Sequence, residues 1–202
     1  HTGLGFVKVV KTLEGITDPQ KVVNAGIKFR VVGKNVAGGN VSEEITIDQI
    51  DTQNNVAYGI SAPISTGGEY QLEEIEETVP DYFESVEPIA VNLTTANTVD
   101  SPLVIDVENK RTKGNLEVIT ETNPKGDTLT GITYRVTEVE INDDGTYTKF
   151  DGGIDKQGNL TADTRIEVGG DNGVLNPSFA ELKDIKSGNY LVEQLTVPAG
   201  YD

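Results

Sequence analysis

The chain of 202 residues is long enough for one large domain or two domains of about 100 residues each. Its 16 basic and 33 acidic residues give a net charge of −17, which argues against nucleic acid or anionic lipid as a partner. No apolar run approaches the length of a membrane span, and 36% hydrophobic with 24% charged residues is typical of a folded soluble domain.

Missing residue types exclude several kinds of chemistry. The chain has no cysteine, and its single histidine is His1. Disulfides, thiolate catalysis, zinc-thiolate sites and histidine-based triads are therefore excluded. We expect no cofactor and no metal site.

Two copies of one strand pattern follow each other along the chain. Three segments with alternating apolar residues return in the second half in the same order: 5–11 as 114–120, 26–31 as 131–136, and 68–74 as 188–194. Short β-branched segments and turn signals such as Asn54-Asn55 separate them. The pattern predicts an all-β chain of two tandem sandwiches, residues 1–112 and 113–202, with at most one helical turn near residues 177–183.

Three polar residues in the first copy each end an alternating apolar strand face: Lys11 after Val7 and Val9, Glu74 after Tyr70 and Leu72, and Asn109 after Ile105 and Val107. Because side chains alternate between the two faces of a strand, all three should point inward. Each would be costly if buried alone. An amine, a carboxyl and a carboxamide are also the ingredients of an internal amide bond. The alternative is that Lys11 and Asn109 reach solvent along apolar stems.

Lys11, the Tyr70-x-Leu72-x-Glu74 motif and Asn109 together resemble the Cna B-type domains of Gram-positive surface adhesins and pilins. These are prealbumin-like, or reverse immunoglobulin-like, β-sandwiches that occur in tandem. The resemblance covers both halves of the chain. It implies an isopeptide bond between Lys11 and Asn109, with Glu74 as the catalytic residue.

The resemblance also implies a setting: a stalk or pilin segment outside the cell, on the bacterial surface. Anchoring to the cell wall would depend on parts outside this chain, and the partners would be neighbouring domains or fibre subunits. The bond forms once per chain, so no enzyme in the ordinary sense is expected. Burial should lower the pKa of Lys11, and a protonated Glu74 would hydrogen-bond the carboxamide oxygen of Asn109.

The second copy departs from this pattern. Thr120 occupies the lysine position and Gln194 the glutamate position, so we predict no bond there, with the two making neutral hydrogen bonds instead. The family would need one more strand after Asp202. The second sandwich is therefore expected to lack its last strand, through truncation or because another chain supplies it. Pro124-Lys125 resembles the lysine by which some pilins are joined through sortase, and residues 123–126 equally fit a plain turn.

A different function class stays open from the sequence. Loops 33–40 and 85–98 could bind a host matrix protein or glycan, since loops of β-sandwiches commonly bind ligands. A hydrolytic enzyme is the least supported reading, because no second acid or nucleophile accompanies Glu74.

Overall fold

The computed structural model describes residues 3–120, 132–141, 144–149, 165–168 and 178–194. Within these ranges the chain is almost entirely β-structure, which confirms the all-β fold class. The chain divides into two compact units, His1–Arg111 and Thr112–Asp202. The prealbumin-like topology of both units stays a prediction. Residues 195–202, where the second unit's last strand is expected to be missing, lie outside the described residues, as does Lys125.

The described part of the first unit contains these elements in chain order: β1 (Leu4–Gly5), β2 (Val7–Leu13), α1 (Pro19–Asn24), β3 (Lys28–Lys34), β4 (Asn40–Thr46), β5 (Gln49–Asp51), β6 (Val56–Ile60), β7 (Ile64–Ser65), β8 (Glu69–Glu74), a 3₁₀ turn (Glu76–Thr78), β9 (Ile89–Val91) and β10 (Leu103–Asn109). Two four-stranded sheets have the orders β10-β2-β6-β5 and β4-β3-β8-β9. Strands β1 and β7 form a separate pair.

One hydrophobic core joins the apolar faces of the two four-stranded sheets. Its buried residues come from both, among them Val7, Val9, Ala57 and Val107 of the first sheet and Phe29, Val31, Ile45 and Leu72 of the second. Full burial of such a side chain contributes about 1.5–3 kcal/mol. The alternating sequence pattern produces this core because every second residue of each strand faces the opposite sheet.

Strand β2 is central to the candidate site because it pairs with β10. The pairing is parallel and runs from Leu103 opposite Val7 to Asn109 opposite Leu13. On its other side β2 pairs antiparallel with β6. The first long strand of the unit and its last strand are therefore direct neighbours in one sheet.

A short helix interrupts the strands in a place that the sequence analysis missed. The Asp18 side chain accepts a hydrogen bond of 2.9 Å from the Gln20 backbone N–H, and Pro19 occupies the first turn of α1. Both are standard signals of a helix start. The helical turn predicted near residues 177–183 is wrong over residues 178–183, which belong to a strand.

The described strands of the second unit are β11 (Lys113–Thr120), β12 (Ile132–Ile141), β13 (Tyr147–Lys149), β14 (Arg165–Val168), β15 (Ser178–Lys186) and β16 (Asn189–Gln194). Strand β11 pairs antiparallel with β15. Strand β12 pairs antiparallel with β13, β14 and β16.

The two units share the register of one strand pair. Opposite residues in β3 and β8 are Phe29–Glu74, Arg30–Glu73 and Val31–Leu72, and in β12 and β16 they are Tyr134–Gln194, Arg135–Glu193 and Val136–Val192. In both units the tyrosine of the repeated motif also donates its hydroxyl to a backbone carbonyl of the preceding strand: Tyr70 to Ser65 at 2.8 Å, and Tyr190 to Lys186. The repeated sequence therefore corresponds to a repeated strand pairing.

Candidate functional site

Lys11 lies inside the first unit. The residues of β2 alternate between buried and less buried, and Lys11 falls on the buried face with Val7 and Val9. Its exposed fraction is 0%, and it is among the largest fully buried side chains of the described residues. The Nζ atom donates a hydrogen bond to the backbone carbonyl of Thr12. The amine is thus withdrawn from water with a single neutral acceptor.

This environment changes the protonation of the amine. Burial lowers the pKa of Lys11 from 10.5 to about 8, and the charges of Glu74 and Glu108 oppose part of that decrease. About a tenth of the amines would then be neutral at pH 7, where an ordinary lysine has less than about one in 1,000. A neutral amine is the nucleophilic form.

Asn109 lies on the same face of the neighbouring strand. Lys11 is opposite Val107 in the parallel register, so Asn109 is one inward-facing position further along β10. Strand geometry sets the two Cα atoms about 8 Å apart. The stem of Lys11 and the carboxamide of Asn109 can span that distance. Asn109 is also fully buried, with an exposed fraction of 0%.

Glu74 reaches the carboxamide from the opposite sheet. It ends β8, and its Oε1 atom accepts a hydrogen bond of 2.8 Å from Asn109 Nδ2. The same oxygen accepts one of 3.1 Å from the backbone N–H of Val86. The sequence analysis predicted all three residues on the inner faces, and the structure brings Glu74 and Asn109 into direct contact, with Lys11 on the adjacent strand.

The orientation of the carboxamide differs from the sequence-based expectation. Glu74 faces the nitrogen of Asn109 and not its oxygen. The Nδ2 atom also donates to the backbone carbonyl of Glu84 at 2.8 Å, so two acceptors fix it in place. Nitrogen is the atom that leaves as ammonia when an amine displaces a carboxamide. Glu74 is therefore positioned beside the leaving group.

Two buried oxygen atoms of this site have no hydrogen-bond partner in the described part of the chain: Glu74 Oε2 and Asn109 Oδ1. A buried polar atom left unpaired costs about 1–3 kcal/mol. Such orphaned atoms are uncommon in native proteins, and a catalytic role is one reason for them. Both atoms are acceptors and keep the capacity to accept a hydrogen bond.

Backbone groups of residues 84 and 86 belong to the site although the sequence analysis did not select them. The Glu84 carbonyl and the Val86 N–H each contact one member of the polar set. Main-chain groups leave no residue-type signal. The one available hint was the proximity of this loop to Glu74 in the chain.

The second unit differs at the equivalent positions. Thr120 pairs with Ser178 in β11 and β15, and its side chain lies outside the described residues. Gln194, at the glutamate position, is exposed in β16, so it lacks the inward burial that the repeat suggested. The absence of a bond in this unit stays a prediction.

The loops considered for ligand binding contribute to one shallow depression. It has a volume of about 360 Å³ and is lined by residues that include Gly33, Tyr70 and Asn92. Adhesion through these loops stays a prediction. Among the described residues no group of three His, Cys, Asp or Glu side chains could hold a metal ion, and no helix there is long and apolar enough to cross a membrane.

No family model and no curated protein matches the chain. Among solved structures it is similar to a streptococcal ancillary pilin, with 16% identity, a TM-score of 0.34, and coverage of 98% of this chain and 55% of that chain. It is also similar to a mutant of the shaft pilin SpaA from Lactobacillus rhamnosus GG, with 12% identity, a TM-score of 0.36, and coverage of 98% and 91%. A third match is the SpaE basal pilin of that organism, with 12% identity, a TM-score of 0.32, and coverage of 98% and 82%. The chain thus spans just over half the length of the ancillary pilin.

Proposed function

We propose that this chain is a structural module of a bacterial surface protein, a stalk or pilin segment, whose first unit is closed by an amide bond between Lys11 and Asn109. One observation carries the proposal: a fully buried lysine lies on the strand beside a fully buried asparagine whose nitrogen is hydrogen-bonded to Glu74. The motif-level resemblance to the Cna B-type domains is the reason for proposing an extracellular setting. Neighbouring domains of the same protein or other fibre subunits are the proposed partners.

A covalent bond explains the burial of Lys11 better than an ion pair does. Within the described residues no carboxylate lies within 4.0 Å of its Nζ atom, and the one hydrogen bond it makes is to the Thr12 carbonyl. A buried charge without a counter-ion costs several kcal/mol. Conversion of the amine to a neutral amide removes that cost permanently, because the charged group no longer exists.

The proposed reaction is an intramolecular amide exchange. The neutral amine of Lys11 attacks Cγ of Asn109, and the tetrahedral intermediate then expels Nδ2. Glu74 accepts a proton from the attacking nitrogen and delivers it to the departing one, which lies 2.8 Å from its Oε1 atom. One amine and one carboxamide become one secondary amide and one ammonia. No oxidant, metal or cofactor takes part, and each chain reacts once.

Replacement of Glu74 with glutamine tests the assigned role. Glutamine keeps an oxygen acceptor for Asn109 and Val86 but cannot transfer the proton, so bond formation should slow by about 10²–10⁴-fold. Intact mass spectrometry of freshly folded Glu74→Gln should show chains that retain the ammonia. Glu69→Gln is the matched control, since Glu69 is exposed on the same strand. Equal ammonia loss in the two variants would contradict the role of Glu74.

The pKa of Lys11 predicts how the reaction depends on pH. Below pH 8 the amine is mostly protonated, so the rate should rise about tenfold per pH unit and level off above about pH 8. The chain can be synthesised in a cell-free reaction at low pH, transferred to buffers from pH 6 to 9, and sampled by mass over time. Because the charge of Glu108 raises this pKa, Glu108→Gln should shift the profile to lower pH. A rate that stays constant from pH 6 to 9 would exclude the amine as the titrating nucleophile.

A further inference from the structure

Residues 83–86, which we call the strap, cross over the candidate site. Phe83 forms an isolated β-bridge with Arg111. The backbone N–H of Glu84 donates a hydrogen bond of 2.7 Å to the carbonyl of Lys110. The strap is therefore attached directly to the chain that follows β10. It lies where the last strand leaves the sheet.

In the strap, the apolar side chains pack against the core and the backbone groups face the site. Phe83 and Val86 are partly buried and pack against the hydrophobic core. Glu84 and Ser85 are exposed. The strap thus presents backbone groups to the site, while its two apolar side chains fix the position of those groups.

The strap makes two hydrogen bonds to the reactive set. The carbonyl of Glu84 accepts from Asn109 Nδ2 at 2.8 Å, and the N–H of Val86 donates to Glu74 Oε1 at 3.1 Å. As a result, Nδ2 lies between two acceptors, the Glu84 carbonyl and Glu74 Oε1. A carboxamide NH₂ group has two hydrogens and can donate one to each.

We propose that the Glu84 carbonyl determines specificity in the bond-forming reaction: it makes the site accept asparagine and reject aspartate at position 109. This inference rests on the proposed function. An ionised aspartate would direct an oxygen without hydrogens at two acceptors, and a protonated one could donate to only one of them. In either form at least one of the two acceptors, the Glu84 carbonyl or Glu74 Oε1, would be buried without a hydrogen bond, which costs free energy.

The same two bonds orient the leaving group. They hold the nitrogen of Asn109 towards Glu74, which can protonate it as it departs as ammonia, and the carbonyl oxygen of Asn109 is retained in the new amide. With aspartate the balanced reaction would instead release water. The aspartate would then have to be protonated, because its hydroxyl is the leaving group. The Glu84 carbonyl beside it cannot donate a proton or a hydrogen bond to that group.

Asn109→Asp tests the inference directly. With full-length chains from cell-free synthesis at pH 7, loss of water from Asn109→Asp should be about 10–100-fold slower than loss of ammonia from the parent, the effect of one lost hydrogen bond at a charged site. Phe83→Ala removes the side chain that anchors the strap. In that background the rate for asparagine should exceed the rate for aspartate by a smaller factor. Ser85→Ala, an exposed change within the strap, should leave the factor unchanged. Equal rates for asparagine and aspartate, or an unchanged ratio in Phe83→Ala, would overturn the inference.

A second measurement does not need the bond. Lys11→Met keeps an apolar stem and cannot react. In that background, Asn109→Asp should lower the melting temperature more at pH 7 than at pH 4, because the buried carboxyl must hold a proton that the unfolded chain, with a pKa of about 3.9, releases. Equal lowering at both pH values, or none, would overturn the preference for a carboxamide. If the parent chain loses no ammonia, the proposed function fails, and this comparison, repeated with Phe83→Ala, still decides whether the strap gives position 109 its preference for a carboxamide.

Discussion

Pulling the chain from its two ends should give one unfolding step in the parent and two in Glu74→Gln. A bond between Lys11 and Asn109 would carry tension from β2 directly to β10, so the 97 residues between them, 12–108, would not be extended by the force. Without the bond these residues add about 330 Å of contour length when the first unit unfolds. This difference in extension under force is the mechanical role that we propose for the module.

Single-molecule force spectroscopy measures that difference with an internal reference. The second unit is predicted to form no bond, so its step should appear in every trace. Glu69→Gln should behave as the parent does, because its altered side chain is exposed. Traces of the parent with two long steps would contradict a covalent connection across the first unit.

The melting temperature of the first unit should be much lower in Glu74→Gln than in the parent chain. In the chain-entropy treatment of cross-links, closure of a loop of about 100 residues contributes about 4.7 kcal/mol. For a unit of this size, losing that stabilisation lowers the melting temperature by about 20 °C or more. Glu74→Gln also leaves the Lys11 amine buried and unreacted, which adds to the loss.

Calorimetry of the full chain tests the thermal prediction. We expect the transition of the first unit to move to lower temperature in Glu74→Gln, and to stay unchanged in Glu69→Gln. The transition of the second unit should be the same in all three chains. Coincident transitions for the first unit in the parent and in Glu74→Gln would show that no bond stabilises the parent.

Strand alternation made much of the first unit predictable. Because side chains alternate with a period of two, Val7 and Val9, which share a strand face with Lys11, were enough to predict its burial. The repeat predicted related strands in the two halves, and in the structure Phe29 lies opposite Glu74 as Tyr134 lies opposite Gln194. The register itself could not be predicted, because the sequence pattern does not show which strands pair.

Local signals were less reliable for helices. Asp18 and Pro19 mark the start of α1, but only Val22 of that helix is buried, so no apolar periodicity supported it. Residues 178–183 instead pair with β11, because pairing between strands overrides a weak local preference for a helical turn.

The orientation of Asn109 could not be predicted from residue types. It depends on the Glu84 carbonyl and the Val86 N–H, which any residue at those positions would supply. Their placement follows from how Phe83 and Val86 pack against the core. The sequence therefore predicts that these side chains face inward, whereas the folded loop decides which atom of the carboxamide faces the acid.

The mass of the intact parent chain, without substitutions, tests the central claim most directly. If Lys11 and Asn109 are joined, the chain is lighter than its sequence by one ammonia, about 17 Da, and digestion releases a branched peptide that contains both residues. A chain of full mass, with Lys11 and Asn109 recovered in separate linear peptides, would contradict the account.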